Sequence, residues 1–153
     1  SKLRGEDKKN AIDYLRKKLY TNHGTRHEDT TADNYEDFDV DEKYYTYPVC
    51  SLEGTDYEIV GRIDRIHTDI DGVKTIVEIK NRARGLFKTV RDYEEIQCQT
   101  YMEMLDIGKC QLIEQYNESR MGYHIVRDKH KWLSELNPKL INFCRHFHSL
   151  LSE

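Results

Sequence analysis

The sequence predicts an α/β fold, in which a small mixed central β-sheet is flanked by helices, within one domain spanning residues 1–153. Two segments rich in β-branched residues, 60–66 and 73–79, lie on either side of a turn sequence and predict a pair of strands. Apolar residues recur at helical spacing over 92–107 and again from about residue 128 onward. A chain of this length can bury a core, so interleaved strands and helices favour a sheet covered by helices.

The composition favours a folded protein that works inside a cell. The net charge is −4 and 34% of the residues are charged, but eleven tyrosines and regular apolar periodicity argue against disorder. No run of about 18 apolar residues occurs, so no membrane span is expected. The four cysteines lack C-x-x-C spacing. This disfavours a zinc or iron–sulfur site and suits reduced thiols in the cytoplasm or nucleus of a host cell.

The first half of the chain is predicted to contain two helices followed by two strands. Segment 7–20 carries apolar residues on one side and basic residues on the other, which predicts an amphipathic helix. A second helix is predicted over 25–35, with a threonine as its N-cap. Segment 44–52 is a predicted strand, and a short turn at 53–56 connects it to the strand that carries Asp64.

The second half of the chain continues this alternation. Turn chemistry at Asp69–Gly72 connects the two central strands, and 82–89 is predicted to be a loop. A helix over 92–107 is followed by two further strands, 111–116 and 122–126. The inner face of that helix is predicted to carry Tyr93, Ile96, Gln97, Thr100, Tyr101 and Met104.

The C-terminal tail is predicted to be helical and to bury one apolar stripe. Its spacing is typical of a helix packed on a core. The sequence Asn137-Pro138 is expected to kink or restart the helix, since proline is tolerated in a first turn. The stripe consists of Trp132, Leu136, Leu140, Phe143, Phe147 and Leu150.

Three charged residues on the central strands form the strongest candidate site. Pairing the strands across their turn brings Asp64 close to Glu78, and strand alternation places Glu78 and Lys80 on one face. A Glu-x-Lys pair on an edge strand is usually a solvated pair, but apolar neighbours indicate that this strand is buried on at least one face. Two carboxylates and one ammonium at one spot can bind a hard divalent cation and activate a water molecule, which predicts a metal-dependent phosphodiesterase site.

The distribution of charge points to a nucleic-acid partner in spite of the negative total. Acidic residues crowd segment 28–42, whereas no acid occurs between Lys80 and Arg91. Such a run is either a solvated surface or, next to the candidate site, a rim that binds phosphates. The predicted nucleic-acid-binding residues are Arg82, Arg84, Lys88 and Arg91.

Four motifs in this order resemble those of the PD-(D/E)XK nuclease superfamily. They are Gly24-Thr-Arg-His-Glu28, Gly61-Arg-Ile-Asp64, Glu78-Ile-Lys80 and Gln97-x-x-x-Tyr101. Within the superfamily, the chain resembles the branch of lambda exonuclease, YqaJ-type recombinases and viral alkaline exonucleases. RecB-type nuclease domains share the later motifs. The resemblance implies a restriction-endonuclease-like core.

The resemblance also implies a role for each matched residue. Asp64 and Glu78, with the backbone carbonyl of Ile79, would bind Mg²⁺ or Mn²⁺. Glu28 would complete a second metal site or bind its water. Lys80 would orient or deprotonate the attacking water and stabilise charge in the transition state.

Two further residues belong to the implied catalytic set. Gln97 and Tyr101 lie one helical turn apart, on one face of the predicted helix. In the family this face overlooks the site and steadies the substrate backbone or the water. Without the other motifs, the pair has a simpler interpretation as a half-buried polar seam. Ile63 stands where many relatives have proline before the aspartate, a position that binds no metal.

The function that the resemblance implies is Mg²⁺- or Mn²⁺-dependent hydrolysis of DNA, as an exonuclease acting on duplex ends in viral or phage-type DNA processing or recombination. DNA is then the expected partner, and a homo-oligomer or a recombination partner protein is compatible with this branch. Two alternatives remain open. One is an RNA endonuclease like the cap-snatching domains of segmented RNA viruses, and the other is a non-catalytic nucleic-acid-binding module.

Overall fold

A computed structural model describes residues 39–40 and 43–152 of the chain. The two helices predicted over 7–20 and 25–35 lie outside the described residues, and so does Glu28.

The described residues form seven strands, three α-helices and one π-helical turn. In chain order they are β1 (Asp39–Val40), β2 (Tyr44–Leu52), β3 (Thr55–Arg62), β4 (Arg65–Thr68), β5 (Lys74–Asn81), α1 (Asp92–Leu105), β6 (Lys109–Tyr116), β7 (Ser119–Val126), α2 (Lys129–Lys131), a π-helical turn (Trp132–Leu136) and α3 (Asn137–Leu151).

A mixed five-stranded sheet in the order β1-β4-β5-β6-β7 carries the candidate site. Strands β5 and β6 pair in parallel, whereas β1–β4, β4–β5 and β6–β7 are antiparallel. Helix α1 connects the two parallel strands, as a crossover between parallel neighbours requires. Strands β2 and β3 pair as a separate two-stranded sheet. The prediction of a small mixed sheet with helices is confirmed.

The predicted turn between the central strands forms through the side chain of Asp69. Its Oδ1 atom accepts hydrogen bonds from the backbone N–H groups of Asp71 and Val73, each at 2.9 Å. Gly72 has a φ of 80°, which a glycine adopts without steric cost. This aspartate-based turn fixes the antiparallel register of β4 and β5, in which Arg65 lies opposite Val77.

The predicted strand over 60–66 is interrupted rather than continuous. Strand β3 ends at Arg62 and β4 begins at Arg65, so Asp64 lies in the break between them. The break changes the sheet as well as the strand, because β3 pairs with β2 while β4 pairs with β5. Asp64 therefore follows a turn of the chain instead of lying within a regular ladder.

Helix α1 packs on one face of the five-stranded sheet and closes the larger hydrophobic core. Its buried members come from the helix, the loop before β4 and the sheet: Ile63, Ile76, Cys98, Tyr101, Met102, Ile107, Cys110, Leu112 and Ile125. The opposite face of the central strands buries a second cluster, Val77, Ile79 and Ile113. The alternation along β5 thus separates Ile76 and Glu78 on one face from Val77 and Ile79 on the other.

The predicted inner face of α1 is wrong for two residues. Tyr93 and Ile96 are 64% and 43% exposed, whereas Glu94 and Gln99 are buried. The buried polar residues have hydrogen-bond partners, which makes their burial tolerable: Glu94 accepts from Arg82, and Gln99 donates to the carbonyl of Val126. Apolar periodicity alone therefore misplaces the face of this helix.

The described residues separate into two compact units. One contains 39–40, 43–45 and 62–128, including the five-stranded sheet and α1, and the other contains 46–61 and 129–152. The single-domain organisation of residues 1–153 remains a prediction.

In the second unit, the predicted stripe on the C-terminal helix packs in part on aromatic residues. The ring of Trp132 meets that of Tyr47 edge-on at 5.8 Å between centroids, and Phe147 meets Tyr57 at 6.1 Å. The helix restarts at Asn137, with proline in the first turn, as the sequence predicted. No helix within the described ranges is long and apolar enough to cross a membrane.

Candidate active site

At the break between β3 and β4, the carboxylate of Asp64 accepts a hydrogen bond from a backbone N–H of β5 in place of a strand carbonyl. Its Oδ2 atom accepts a hydrogen bond of 2.9 Å from the backbone N–H of Ile79 on β5. The backbone N–H of Asp64 lies 3.5 Å from Oε1 of Glu78. These two contacts, one through its side chain and one through its backbone, hold Asp64 beside Glu78 and Ile79 of β5. The guanidinium of Arg65, which the sequence did not single out, fixes the same turn by donating to the carbonyl oxygen of Asp64 at 2.7 Å.

Glu78 and Lys80 lie on the face of β5 that helix α1 covers. Glu78 is only 2% exposed. The ammonium of Lys80 lies 3.9 Å from Oε2 of Glu78 and donates a hydrogen bond of 2.7 Å to Oε1 of Gln97 on α1. The Lys80 side chain is therefore held by one partner from its own strand and one from the helix.

Gln97 and Tyr101 extend this contact along the helix. The amide nitrogen of Gln97 donates to the hydroxyl oxygen of Tyr101 at 3.2 Å, across one turn of α1. Tyr101 itself is buried in the core. The amide of Gln97 thus accepts from Lys80 with one atom and donates to Tyr101 with the other, which fixes its orientation. The structure brings together Asp64, Glu78, Lys80, Gln97 and Tyr101.

The two carboxylates are short of compensating positive charge. Burial raises the pKa of Glu78 well above its usual range, and the nearby Asp64 carboxylate raises it further, against the opposing effect of Lys80. Burial also raises the pKa of Asp64, although the N–H of Ile79 and the charge of Lys80 counteract this. Two neighbouring carboxylates that repel each other bind a divalent cation readily, because the cation offsets the repulsion.

The donor set fits a hard divalent cation. The carboxyl groups of Asp64 and Glu78 lie close enough to interact with each other, and hard cations prefer such oxygen ligands. Among residues 39–40 and 43–152, no group of three His, Cys, Asp or Glu side chains is close enough to form a site on its own. The third predicted carboxylate, Glu28, lies outside this part of the chain.

The predicted phosphate-binding residues divide into two groups. Arg84, Lys88 and Arg91 are exposed. Arg82 is not available in the same way: its guanidinium is buried and forms ion pairs with Glu94 and Glu114, each at 2.9 Å. Arg82 is therefore not an expected phosphate contact, because all three nitrogens of its guanidinium donate hydrogen bonds to carboxylates.

The sequence interpretation missed the acids that neutralise Arg82. Glu114 is fully buried on β6, and burial tends to raise its pKa. Hydrogen bonds from Arg82, from the backbone of Lys88 and Phe87, and from the hydroxyl of Tyr123 outweigh this effect and hold the pKa of Glu114 below its usual value. An acid directly after two apolar strand residues, Leu112-Ile113-Glu114, was the available signal for a buried carboxylate with a partner.

Comparisons with known proteins agree with this geometry. The family model described as PD-(D/E)XK nuclease superfamily matches residues 3–143. The crystal structure of SSO0001 aligns with a TM-score of 0.54 and 21% sequence identity, covering 73% of this chain. The alignment spans 55% of the SSO0001 chain, and at this identity it indicates a shared fold alone. No curated protein matches the chain. Since the family model covers most of the sequence, and the described motifs converge on one face of the sheet, this chain belongs to the PD-(D/E)XK nuclease superfamily.

Proposed function

We propose that this chain hydrolyses phosphodiester bonds of DNA with the help of Mg²⁺ or Mn²⁺, as an exonuclease that acts on duplex ends. The observation that carries the proposal is the position of Lys80, whose ammonium lies between Glu78 and Gln97, beside the buried carboxylate of Glu78 and the half-buried carboxylate of Asp64. A lysine held next to a carboxylate pair that lacks compensating charge has the arrangement that phosphodiester hydrolysis needs: a cation site, a donor for the water and a positive charge near phosphorus.

The metal ligands in this proposal are Asp64, Glu78 and the backbone carbonyl of Ile79, with Glu28 as the carboxylate of a second metal site. When bound, the metal would polarise the phosphate and lower the pKa of a coordinated water. Glu78 is rigidly placed for this role, since it lies within β5 and is buried. Asp64 is aligned by the N–H of Ile79.

Lys80 acts on the water and on the charge that develops in the transition state. Its ammonium has three donors, and one is directed at Gln97. The remaining donors orient the attacking water or bind a phosphate oxygen. Gln97 and Tyr101 position Lys80, because the amide is fixed by the tyrosine hydroxyl. Loss of either contact would let the flexible lysine side chain leave its place.

DNA would reach the site across the basic loop, which we define as residues 82–91. Arg84, Lys88 and Arg91 are its exposed cations and would contact the phosphate backbone without reading sequence. The preference for DNA, for duplex ends and for a role in viral or phage-type recombination rests on the likeness of the motif set to the lambda-exonuclease branch. So does assembly as a homo-oligomer or with a recombination partner.

The test is a comparison of four substrates in the presence of Mg²⁺, Mn²⁺ or EDTA: linear duplex DNA, covalently closed circular duplex, single-stranded DNA and RNA. Progressive shortening of the linear duplex, with the closed circle intact and no reaction in EDTA, is the expected result. The Asp64→Ala protein, prepared identically, controls for contaminating nuclease. Internal cutting of closed circles would reject the exonuclease, and preferential cleavage of RNA would favour the cap-snatching-like alternative.

A further inference from the structure

A single buried carboxylate accepts hydrogen bonds from both the basic loop and strand β7. Glu114 on β6 is 0% exposed. Its oxygens accept from Nε of Arg82 at 2.9 Å and from the hydroxyl of Tyr123 on β7 at 2.8 Å. They also accept from the backbone N–H groups of Phe87 and Lys88, at 3.0 and 2.9 Å. Two of these four donors are peptide groups of the basic loop, so the carboxylate determines where that backbone lies.

The basic loop is fixed at its start and end by the same network. At the start, Arg82 also donates to both oxygens of Glu94, at 2.9 and 3.2 Å. At the end, Glu94 accepts from the backbone N–H of Arg91, which caps the first turn of α1. Lys88 has a φ of 59°, a left-handed conformation that costs energy for a residue with a side chain. Such a conformation persists only where surrounding contacts enforce it, and the hydrogen bond from Lys88 to Glu114 is one of these contacts.

Glu114 lies directly beside Lys80, the candidate catalytic lysine. In the parallel pairing of β5 and β6, Lys80 and Glu114 are opposite each other, so their side chains share one face of the sheet. Arg82 follows Lys80 by two residues, and its backbone N–H continues the pairing by donating to the carbonyl of Gln115 at 2.8 Å. The loop therefore leaves the sheet at a fixed point next to the site.

We propose that Glu114 is a positioning residue for nucleic-acid binding: it holds the basic loop in place so that Arg84 and Lys88 meet the phosphate backbone of the substrate. Glu114 does not touch the substrate itself. The inference rests on the proposed function for its substrate, and it adds a residue that acts on binding rather than on the chemical step.

The charge of Glu114 makes the proposal testable by the sign of an effect. Glu114→Gln removes one negative charge from the protein, and long-range electrostatics alone would then strengthen binding to a polyanion. If Glu114 instead places the loop, the same substitution weakens binding, because the glutamine cannot accept from all four donors. Glu103→Gln is the matched control. Glu103 lies on α1 and accepts two hydrogen bonds from Arg127, at 3.1 and 2.8 Å. The control substitution therefore removes the same charge from a comparable ion pair.

The experiment compares wild type, Glu114→Gln, Glu103→Gln and Tyr123→Phe. Amide hydrogen exchange at Phe87 and Lys88 reports on the loop in the free protein. Binding of a short linear DNA duplex in Ca²⁺, with KM and kcat on the same duplex in Mg²⁺, reports on the substrate. For Glu114→Gln we expect exchange about 10-fold faster at both amides and affinity about 10-fold weaker, the scale of a lost hydrogen bond to a charged group, with kcat nearly unchanged. Glu103→Gln should leave exchange and affinity at wild-type values.

Tyr123→Phe carries the test if Glu114→Gln does not fold. It removes one donor to Glu114 and should accelerate exchange at Lys88 by about 3-fold or more, on the scale of a neutral hydrogen bond. Unchanged exchange at Phe87 and Lys88, or affinity that rises as in a purely electrostatic response, would overturn the inference. A wild-type protein that cleaves no nucleic acid, but whose Glu114 variant shows fast exchange at both amides, would reject the proposed function and retain the loop anchor.

Discussion

Two clusters of charged residues lie on the same face of the sheet, and their carboxylates differ in how they are compensated. Glu78 and Glu114 are both buried, on neighbouring strands, and each has a basic residue nearby. Glu114 accepts four hydrogen bonds, and its pKa falls below the usual value despite the burial that opposes this. Burial raises the pKa of Glu78, and the negative charge of Asp64 raises it further; Lys80, 3.9 Å away, lowers it but does not outweigh them.

The difference separates a structural cluster around Glu114 from the proposed catalytic cluster around Glu78. A buried charge is tolerated when it is paired and hydrogen-bonded, and the Glu114 cluster satisfies this condition within the protein. In the Asp64–Glu78 pair, burial raises the pKa of both carboxyl groups, and a bound cation would offset their mutual repulsion. Acid-and-base composition alone does not distinguish the two clusters, whereas the balance of donors to carboxylates does.

The largest effect should come from removing the carboxylates of the uncompensated cluster, which consists of Asp64, Glu78 and Lys80. Asp64→Asn and Glu78→Gln should each lower cleavage by ~10³-fold or more, since a metal contributes several kcal/mol to transition-state stabilisation. Mn²⁺ binding, measured by calorimetry, should weaken in parallel. Glu103→Gln removes the same charge from an ion pair elsewhere on the sheet unit and should leave both quantities unchanged. Wild-type Mn²⁺ affinity in the Asp64 and Glu78 variants would exclude these carboxylates as metal ligands.

The two clusters should also respond to neutralisation with opposite signs of stability. In metal-free protein, Glu78→Gln removes repulsion with Asp64 and should raise the free energy of unfolding by roughly 1 kcal/mol. Glu114→Gln removes one of the two carboxylates that pair with Arg82 and should lower the free energy of unfolding by about 3 kcal/mol. Urea unfolding at neutral pH in EDTA measures both. Destabilisation by both substitutions would mean that the charge of Glu78 is already compensated within the protein, as that of Glu114 is.

The stabilisation from Glu114 should depend on pH in one direction. Its folded-state pKa is lowered, so this contribution is fully present above the ordinary glutamate pKa of about 4.3 and is lost as the pH falls through the lowered folded value. The difference in unfolding free energy between wild type and Glu114→Gln should therefore be constant from pH 7 to about 5 and shrink below about 4. A difference that stays constant to pH 3 would show that the carboxylate charge of Glu114 contributes little.

Lys80 tests whether the uncompensated cluster performs chemistry or only binds. Lys80→Ala should reduce kcat by ~10²-fold, the scale of a lost acid–base or electrostatic catalyst, with DNA affinity nearly unchanged. Lys74→Ala is the control, because Lys74 is an exposed lysine at the opposite end of the same strand. A Lys80 variant with normal turnover and weak DNA binding would make this residue a phosphate contact instead.

Within the described residues, the sequence predicted most of the helices and strands and the residues that meet around Lys80, but not which cations pair with which carboxylates. Strand alternation places Glu78 and Lys80 together, and helical spacing places Gln97 near Tyr101; both relations are local. The partners of Arg82 come from 12 and 32 residues further along the chain, on α1 and β6. An acid-free run in sequence therefore does not imply a cation exposed to solvent. The break at Asp64 was missed for a similar reason, since it depends on a change of sheet.

The smallest expected effect concerns Arg84 and Lys88, the exposed cations of the basic loop. Arg82 is excluded, because it is paired with Glu94 and Glu114. Arg84→Ala/Lys88→Ala should weaken binding of linear duplex by about 10-fold and reduce the log–log dependence of affinity on salt by up to ~2, since each phosphate contact releases counterions. Lys74→Ala/Lys109→Ala removes the same charge and is the matched control. Both control residues are exposed and begin the parallel strands β5 and β6, so they lie at the end of the sheet opposite the basic loop. If the control lowers the salt dependence equally, DNA responds to net charge alone. A lower slope for the loop variant only would identify the basic loop as the surface that follows the phosphate backbone.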